Sequence, residues 1–420
     1  MVSQVVFSQA SSFTPRNIYL DDIPSTASYV INTDGTYYWS TRDDGYILLN
    51  GTDADILINN ILLVLTAGGK IIFGNGVFEL SDTLDFPNLS VFNFVGQGFD
   101  KESPSKSTVF KWIGAIDGIM FDFRDTAGRV ILRDFAVDGN GVAGVTGMLW
   151  GGTTEPVQWG WFVENIFFDG FSLTTTALDL GSQGGQAEGF TFINIQGACM
   201  TKLKGMANNF YNFNGLLVTE NSTTGQDFSF FGGGLGTTTG ANVKIVESDS
   251  TVNLNFYGTY FENSQKGIIG FDSVNTGGVK LLFSGTKFAT SNNTCLFDFT
   301  NINNYELTVI GGSTTSSYQP IYGDPTTPYH LVKIELLNAP FTYKNPNYGV
   351  VSITGAVNSV TVVHNTILTP TIISISPRQS GFNETWVSAR NATTFTISFT
   401  NQPGGNTWYF DWEAYWYDPD

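Results

Sequence analysis

Cysteine, histidine and charge are all scarce in this chain of 420 residues. Cys199 and Cys295 are the only cysteines, and their wide separation fits no common metal-binding spacing, so we interpret them as small buried apolar residues. Charged residues make up 13% of the chain, about half the usual share. The net charge is −18 with only 19 basic residues, which argues against nucleic acid as a partner because phosphate binding requires clustered lysine and arginine.

Long apolar segments are also missing. No run reaches the length of a membrane span, so no membrane-spanning helix is predicted. The first residues, Met1-Val-Ser-Gln4, show neither the basic start nor the apolar stretch of a secretory signal, which is therefore absent or already removed. Virion proteins leave the cell by assembly and lysis, and they need no such signal.

Glycine and phenylalanine are abundant, with 47 and 35 residues, and four segments in the middle of the chain follow one template. Each has apolar residues at alternate positions and ends in glycine; they are Phe228–Gly232, Leu254–Gly258, Leu281–Gly285 and Leu307–Gly311. The positions of these glycines show that the spacing is almost constant. A period in the range of about 20–50 residues predicts stacked units, and alternation predicts strands rather than helices. We therefore expect a parallel β-solenoid that rises about 4.8 Å per coil.

The solenoid predicts one interior ladder of side chains, made by Phe230, Phe256, Phe283 and Val309. Three segments of the chain are expected. Residues 1–50 form an irregular attachment segment with a hairpin around Asp34-Gly35, and residues 51–345 form the solenoid. Residues 346–420 read as antiparallel strands of a sandwich-like domain for trimerisation or receptor contact.

A helix is predicted at the start of the solenoid, from an N-cap at Thr52 or Asp53 to about Leu65. Such a helix would cap the open end of the solenoid, where core and strand backbone would otherwise be exposed. The fold class is therefore all-β, with one capping helix and a small antiparallel domain. The coil around residues 200–226 cannot be placed from the pattern.

The opening of the solenoid resembles the pectate-lyase-like superfamily. The residues that carry this resemblance are Thr52-Asp53, Gly68–Phe73, Gly76–Phe78 and Val95–Gly98. Over residues 45–345 it implies a right-handed parallel β-helix, as in polysaccharide lyases, glycoside hydrolases and viral tailspikes. The landmarks His364, Thr369-Pro-Thr371 and Trp386-Val-Ser388 resemble the C-terminal β-domain of phage tail fibres and tailspikes, which implies a trimer-locking or host-contacting role.

Two aspartates are the candidate catalytic residues. Val130–Gly139 aligns with Trp161–Gly170 in the next coil, and this places Asp138 and Asp169 at the same position of adjacent coils. Stacked side chains lie about 5 Å apart, close to the separation of the carboxylates in a retaining glycosidase. Asp-Gly is also ordinary turn chemistry, and both interpretations are open. Like charges in register cost free energy unless a proton or a cation is shared.

Four aromatic residues are candidates for stacking on sugar rings, namely Trp159, Trp161, Tyr257 and Tyr260. A plain surface or core-edge position explains them as well. No metal-ligand set is predicted, and no cofactor except Ca²⁺, which lyase chemistry would need beside a basic residue. A loose version of that arrangement groups three arginines with three aspartates, namely Arg124, Arg129, Arg133, Asp122, Asp125 and Asp134.

The superfamily's best-known hydrolase pattern includes a Gly-His-Gly motif, and this chain departs from it. Its two histidines, His330 and His364, lie in no such motif. The preferred function is therefore a homotrimeric virion tailspike or fibre that binds host-surface polysaccharide or glycoprotein and contacts other virion proteins through its N-terminus. One alternative is a secreted polysaccharide-degrading hydrolase or lyase, and another is a cell-surface adhesin or filament component. Each places the protein on a virion surface or outside the cell.

Overall fold

The structure is a computed structural model, and it describes about two thirds of the chain, with residues 1–27 among those left out. The described ranges are 28–42, 47–65, 68–87, 91–100, 103–124, 126, 129–152, 157–171, 175–181, 185–197, 200–219, 225–236, 242–245, 251–262, 269–271, 275–289, 295–298, 302–314, 319–322, 332–337, 348–354, 358–363, 370, 372–378, 384–391, 394–400 and 407–415. Cys199, His330 and His364 lie outside these ranges, as does Asp125. Within them there is no helix with the length and apolarity that a membrane span requires.

Most of the solenoid is built on one long sheet of stacked strands. In stacking order its parallel strands are Ser28–Thr33, Gly69–Phe73, Val91–Val95, Arg129–Asp138, Phe162–Asp169, Thr191–Gln196, Asn208–Tyr211, Gln226–Phe231, Val252–Tyr257, Asn275–Ser284, Ile302–Ile310 and Val332–Leu337. Two further strands, Gly76–Leu80 and Thr108–Trp112, join its side. The predicted right-handed parallel β-helix is confirmed.

A second sheet forms another face of the same coils. Its strands begin with Leu84–Asp85, Ile119–Asp122, Thr146–Leu149, Thr176–Asp179, Met200–Leu203 and Asn214–Thr219. Beyond them it divides into one branch of Gly234–Gly236, Tyr260–Glu262, Lys287–Ala289 and Ser313–Thr314 and another of Val243–Ile245, Ile269–Phe271, Cys295–Asp298 and Gln319–Tyr322. A short third sheet contains Val157–Trp159, Gln186–Glu188 and Gly205–Met206.

The N-terminal end is closed by the helix Ala54–Val64, as predicted, with Asp53 at its N-cap. Asp55 is 2% exposed, and one of its carboxylate oxygens accepts hydrogen bonds from the backbone N–H and the hydroxyl of Ser81 at 3.1 and 2.8 Å. It also accepts one from the N–H of Asp82 at 2.6 Å. These bonds satisfy a buried carboxylate and fix the helix to the first coil.

The predicted hairpin around Asp34-Gly35 is present, because Ser28–Thr33 pairs antiparallel with Tyr38–Arg42, which in turn pairs with Ile47–Gly51. Ser28–Thr33 also pairs in parallel with the solenoid strand Gly69–Phe73. The described part of the first segment, from residue 28, therefore belongs structurally to the β-helix.

The interior of the long sheet is a ladder of stacked phenylalanine rings. Phe230, Phe256 and Phe283 are at most 1% exposed, and successive ring centroids are 5.1 and 5.0 Å apart with nearly parallel planes. Val309 is the next residue in register. In the other direction the ladder extends to Phe210, 4.7 Å from Phe230. The predicted interior ladder is therefore confirmed, and it is longer than predicted.

The segment that the sequence pattern did not place contains two unusually short coils. Phe192 pairs with Phe210, and Phe210 pairs with Phe230. Both steps along the chain are clearly shorter than the next one, in which Phe230 pairs with Phe256. A search for a constant period therefore misses these two coils. The core is nevertheless continuous, because the ring of Phe192 lies 4.5 Å from that of Phe210.

Each coil turns one corner at a residue in the left-handed region of backbone conformation. Early coils place Asp or Asn there and later coils place Gly, in the series Asp134, Asn165, Asn194, Asn212, Gly232, Gly258, Gly285 and Gly311, with φ between 52° and 67°. These residue types tolerate positive φ best. The side chains of the early coils form a ladder of amide hydrogen bonds: Asn165 donates to Asp134 at 2.7 Å, and Asn194 donates to Asn165 at 2.8 Å.

Residues 348–415 form the predicted antiparallel domain with two three-stranded sheets. One consists of Tyr348–Thr354, Thr407–Tyr415 and Ile372–Pro377, and the other of Ser359–Val363, Thr394–Thr400 and Glu384–Arg390. Their facing sides bury a common core, which contains Phe395, Ile397 and Phe410 at 0% exposure.

The two packed sheets bury one face of each strand within a single copy. The faces that point away from the core expose large apolar side chains, among them Val363 and Ile372 at 69% and 53%. The trimer itself remains a prediction.

Candidate functional site

Asp138 and Asp169 are paired in register on adjacent strands, as the alignment predicts. Both side chains are half-buried. The Oδ1 atom of Asp138 accepts a hydrogen bond from the backbone N–H of Asn140 at 2.7 Å, and the N–H of Gly139 donates to the carbonyl of Asp169 at 2.8 Å. Asp138 therefore has the geometry of a turn residue, and a catalytic role for the pair stays a prediction.

Trp161 is not a surface residue, which corrects its selection as a sugar-stacking candidate. It is 1% exposed, and its indole stacks on the ring of Phe190 at 5.5 Å with an interplanar angle of 8°. Gly160, with a φ of 68°, forms a corner between the two tryptophans. The strict alternation of a strand is broken there, so Trp159 points outwards and Trp161 inwards.

Trp159 is 59% exposed and begins an outward row on the third sheet. The row continues with Glu188 and then Met206. Glu188 is only 6% exposed, whereas Met206 is 40% exposed. A flat indole therefore lies one coil from a nearly buried carboxylate, an arrangement that suits a polar ligand with one apolar face.

Tyr257 belongs to an exposed aromatic row on the outside of the long sheet. Tyr211, Phe231 and Tyr257 follow one another in register. Their rings stack with centroids 4.8 and 4.9 Å apart and interplanar angles of 12° and 10°. Tyr211 is 41% exposed, and the other two are half-buried. Tyr257 was selected from the sequence, while its two partners were missed; each directly precedes the corner residue of its coil, which is the signal that identifies the row.

Tyr260 lies on the other side of the same corner. The ammonium nitrogen of Lys287, its partner in the next coil, is 4.9 Å from the centre of the Tyr260 ring. Partial burial raises the pKa of the Tyr260 hydroxyl, and a hydrogen bond to Glu262 raises it further. In that hydrogen bond the Tyr260 hydroxyl donates and the Glu262 carboxylate accepts.

A ridge without side chains separates the aromatic row of Tyr257 from Tyr260 and Lys287. It is formed by the corner glycines Gly232, Gly258, Gly285 and Gly311. No atom of the described residues lies within 4 Å of the place that a Cβ would occupy at any of these glycines. We call the ridge together with Tyr211, Phe231, Tyr257, Tyr260 and Lys287 the corner surface. Aromatic rings, a cation and open space meet there, and this combination suits a ligand that has both apolar faces and polar edges.

The loose arginine–aspartate group resolves into local ion pairs. The Nε atom of Arg124 is 2.9 and 3.0 Å from the two carboxylate oxygens of Asp122. Arg133 Nε lies 3.7 Å from Asp134 Oδ2. In the described part of the chain no three His, Cys, Asp or Glu side chains are grouped so as to hold a metal ion.

Comparisons with known proteins give likenesses of fold only. No family model matches the sequence, and no curated protein matches it. Solved structures with 10% identity include ORF18 of Geobacillus virus E2, with a TM-score of 0.45 over 83% of this chain and 73% of that one. Another is the tailspike of the Acinetobacter baumannii bacteriophage AP22 in complex with a capsular saccharide, with a TM-score of 0.34 over 86% and 93%. A mannuronan C-5 epimerase A-module of Azotobacter vinelandii gives 0.34 over 69% and 95%. Likenesses this weak do not decide function.

Proposed function

We propose that this protein is a tailspike or fibre of a virion and that it attaches to polysaccharide or glycoprotein on the host cell. The observation that carries the proposal is the corner surface. Apolar rings are expensive to leave in water, yet Tyr211 is 41% exposed and stacks in register with two further rings. Their place beside an open glycine ridge favours an extended glycan, which has both apolar ring faces and hydroxyl edges.

A rigid scaffold supports this assignment. The coils that carry the corner surface are fixed to one another by strand pairing and by the interior phenylalanine ladder, so the surface side chains are preorganised and binding requires little ordering. The net charge of −18 keeps the rod soluble and lets it approach only those anionic glycans for which a local cation is provided.

The proposal includes an assembly. We assign the protein to the pectate-lyase-like superfamily and expect a homotrimer on the virion surface, contacting other virion proteins through the N-terminus, with no cofactor required. The exposed apolar side chains of the C-terminal domain, such as Val363 at 69%, support an interface there, since burial of such groups stabilises association.

A polysaccharide-degrading enzyme is the second candidate, and the register of Asp138 and Asp169 is the observation that favours it. One carboxylate would act as acid and the other as nucleophile, the two roles that a retaining glycosidase divides between its pair of carboxyl groups. We expect binding without cleavage, since Asp138 already accepts a turn hydrogen bond. A third class, an adhesin or filament component, has no structural feature of its own in its favour.

The experiment measures binding of the purified protein to immobilised bacterial envelope polysaccharides and, in parallel, the release of new reducing ends. We expect binding that falls about tenfold or more in Tyr211→Ala. Stacking of a nucleic-acid base on an aromatic side chain is worth about 1–3 kcal/mol, and we expect a comparable contribution for a sugar ring. Trp159→Ala is the matched control on another face. If Tyr211→Ala leaves binding unchanged and Trp159→Ala abolishes it, the binding site lies on the third sheet around Trp159 and not on the corner surface. Release of reducing ends that disappears in Asp138→Asn and in Asp169→Asn would establish the enzyme instead.

A further inference from the structure

The aromatic row of the corner surface ends abruptly, and the end leaves a notch. After Tyr257, the next residues in register are Ser284 and then Ile310. Tyr257 and Ile310 are two coils apart, a distance of about 9.6 Å along the axis of the solenoid. Only the short side chain of Ser284 lies between them in the row, so the face of the Tyr257 ring that points away from Phe231 meets no further ring in the row. We call this space the serine notch.

The cation and the anion nearest to the notch, Lys287 and Glu262, lie on different sides of Tyr260. Lys287 follows Ser284 across the corner in the same coil and forms no ion pair with the described residues; its ammonium lies over the ring of Tyr260. Glu262 points the other way, since a Cβ at Gly236, one coil back, would lie 3.2 Å from its Cγ and 3.5 Å from its Oε1. Among the described residues, the cation therefore lies towards the next coil, to which Ser284 belongs, and the Glu262 carboxylate lies towards the previous one.

Lys280, on the same strand as Ser284, differs from Lys287 because it forms an ion pair. Its ammonium is 3.3 Å from the carboxylate of Glu306, its partner in the next coil. That pair is exposed and neutral overall, and it leaves no charge for a ligand. Lys287, held over an aromatic ring instead, keeps its charge available.

We propose that the serine notch binds one sugar residue that carries a carboxylate, of the uronic or sialic acid type. The inference rests on the proposed glycan attachment and specifies its ligand class. The sugar ring stacks on the free face of Tyr257, the Ser284 hydroxyl bonds to a sugar hydroxyl, and the carboxylate accepts hydrogen bonds from Lys287. The rest of the glycan runs over the glycine ridge, where no side chain of the described residues obstructs it.

The sharpest test fills the notch without removing a contact from the protein. Ser284→Phe continues the aromatic row by one ring, a residue type that Phe231 already shows to fit this position of a coil. The thermal unfolding midpoint should therefore not fall. Ser284→Ala is the matched control, which removes the hydroxyl and leaves the notch open. Lys287→Gln removes the charge, with Lys280→Gln as its control.

The probe is an immobilised panel in which each oligosaccharide of uronic or sialic acid residues stands beside its carboxyl-reduced neutral form. We expect the wild-type protein to bind an acidic member, and Ser284→Phe to abolish that binding while Ser284→Ala weakens it only slightly. Lys287→Gln should weaken it about tenfold, the loss of one charge-assisted hydrogen bond, and Lys280→Gln should not change it.

The outcomes separate this inference from the attachment proposal. Binding to acidic glycans that survives Ser284→Phe overturns the notch, while attachment through another surface stands. If the protein binds only the neutral forms, and Lys287→Gln leaves that binding unchanged, the proposed recognition of a sugar carboxylate is wrong. A wild-type protein that binds no member of the panel overturns the attachment proposal and the notch together.

Discussion

Replacing the corner glycine Gly258 tests whether backbone conformation alone explains glycine at this position. Its φ is 64°, and within the described part of the chain nothing lies closer than 4 Å to the place of a Cβ. The cost of Gly258→Ala is therefore conformational, about 1–2 kcal/mol for an L-residue in the left-handed region. The lower entropy of the unfolded chain offsets about 0.4–1 kcal/mol of it. We expect a net loss of about 1 kcal/mol in the free energy of unfolding, and a smaller loss for Gly258→Asn, since Asn212 occupies the equivalent corner.

Gly233 is the matched comparison, because its φ is also positive, at 76°, but a Cβ there would overlap the backbone of Phe213. Gly233→Ala should therefore lose much more stability than Gly258→Ala. Chemical unfolding followed by circular dichroism measures both variants, or unfolding rates do so if the transition is irreversible. Equal losses for the two variants, or a Gly258→Asn variant less stable than Gly258→Ala, would refute the reasoning.

Three further predictions concern the core, pH and assembly. Phe256→Ala should cost about 3–5 kcal/mol in chemical unfolding, because a fully buried ring leaves the ladder, whereas the neighbouring outward change Asn255→Ala should cost far less. The hydrogen bond from Arg378 lowers the pKa of Asp411, so the stability this pair contributes is present at neutral pH and is lost as the pH falls through that lowered pKa. In Arg378→Gln an NMR titration should find the pKa of Asp411 back near its ordinary value, and an unchanged titration curve would contradict the ion pair. Sedimentation at micromolar concentration should show a trimer, and a folded monomer would count against it.

The core could be predicted from the sequence where the repeat is regular. Four segments of nearly constant period placed Phe256 and its neighbours in one ladder, and the structure pairs them in that register. The period fails between Phe192 and Phe230, where two successive coils use less chain than those that follow. Stacking requires only that the strands keep their register, so the connecting segments vary in length and a fixed spacing cannot find them.

The candidate site was predicted only in part, because corners break the alternation of strands. Tyr257 and Tyr260 lie on the two sides of a corner and both face outwards, whereas Trp159 and Trp161 flank a corner with one ring outside and one inside. Residue type alone does not separate these cases. The change from asparagine to glycine at equivalent corners also hid the fact that they form one series.

Because the corners of successive coils are equivalent, the rod can become longer or shorter by one complete coil at a time. Tyr257 pairs with Ser284, and the residues that follow them are both corner glycines. Deleting residues 258–284 would join Tyr257 to Gly285 with every remaining residue in its own register, and the rod would be shorter by one rung of about 4.8 Å. Duplicating the same segment would lengthen it equally. A protein with this arrangement can adjust its reach in evolution by copying or losing a coil, and the surfaces on either side of the joint keep their chemistry.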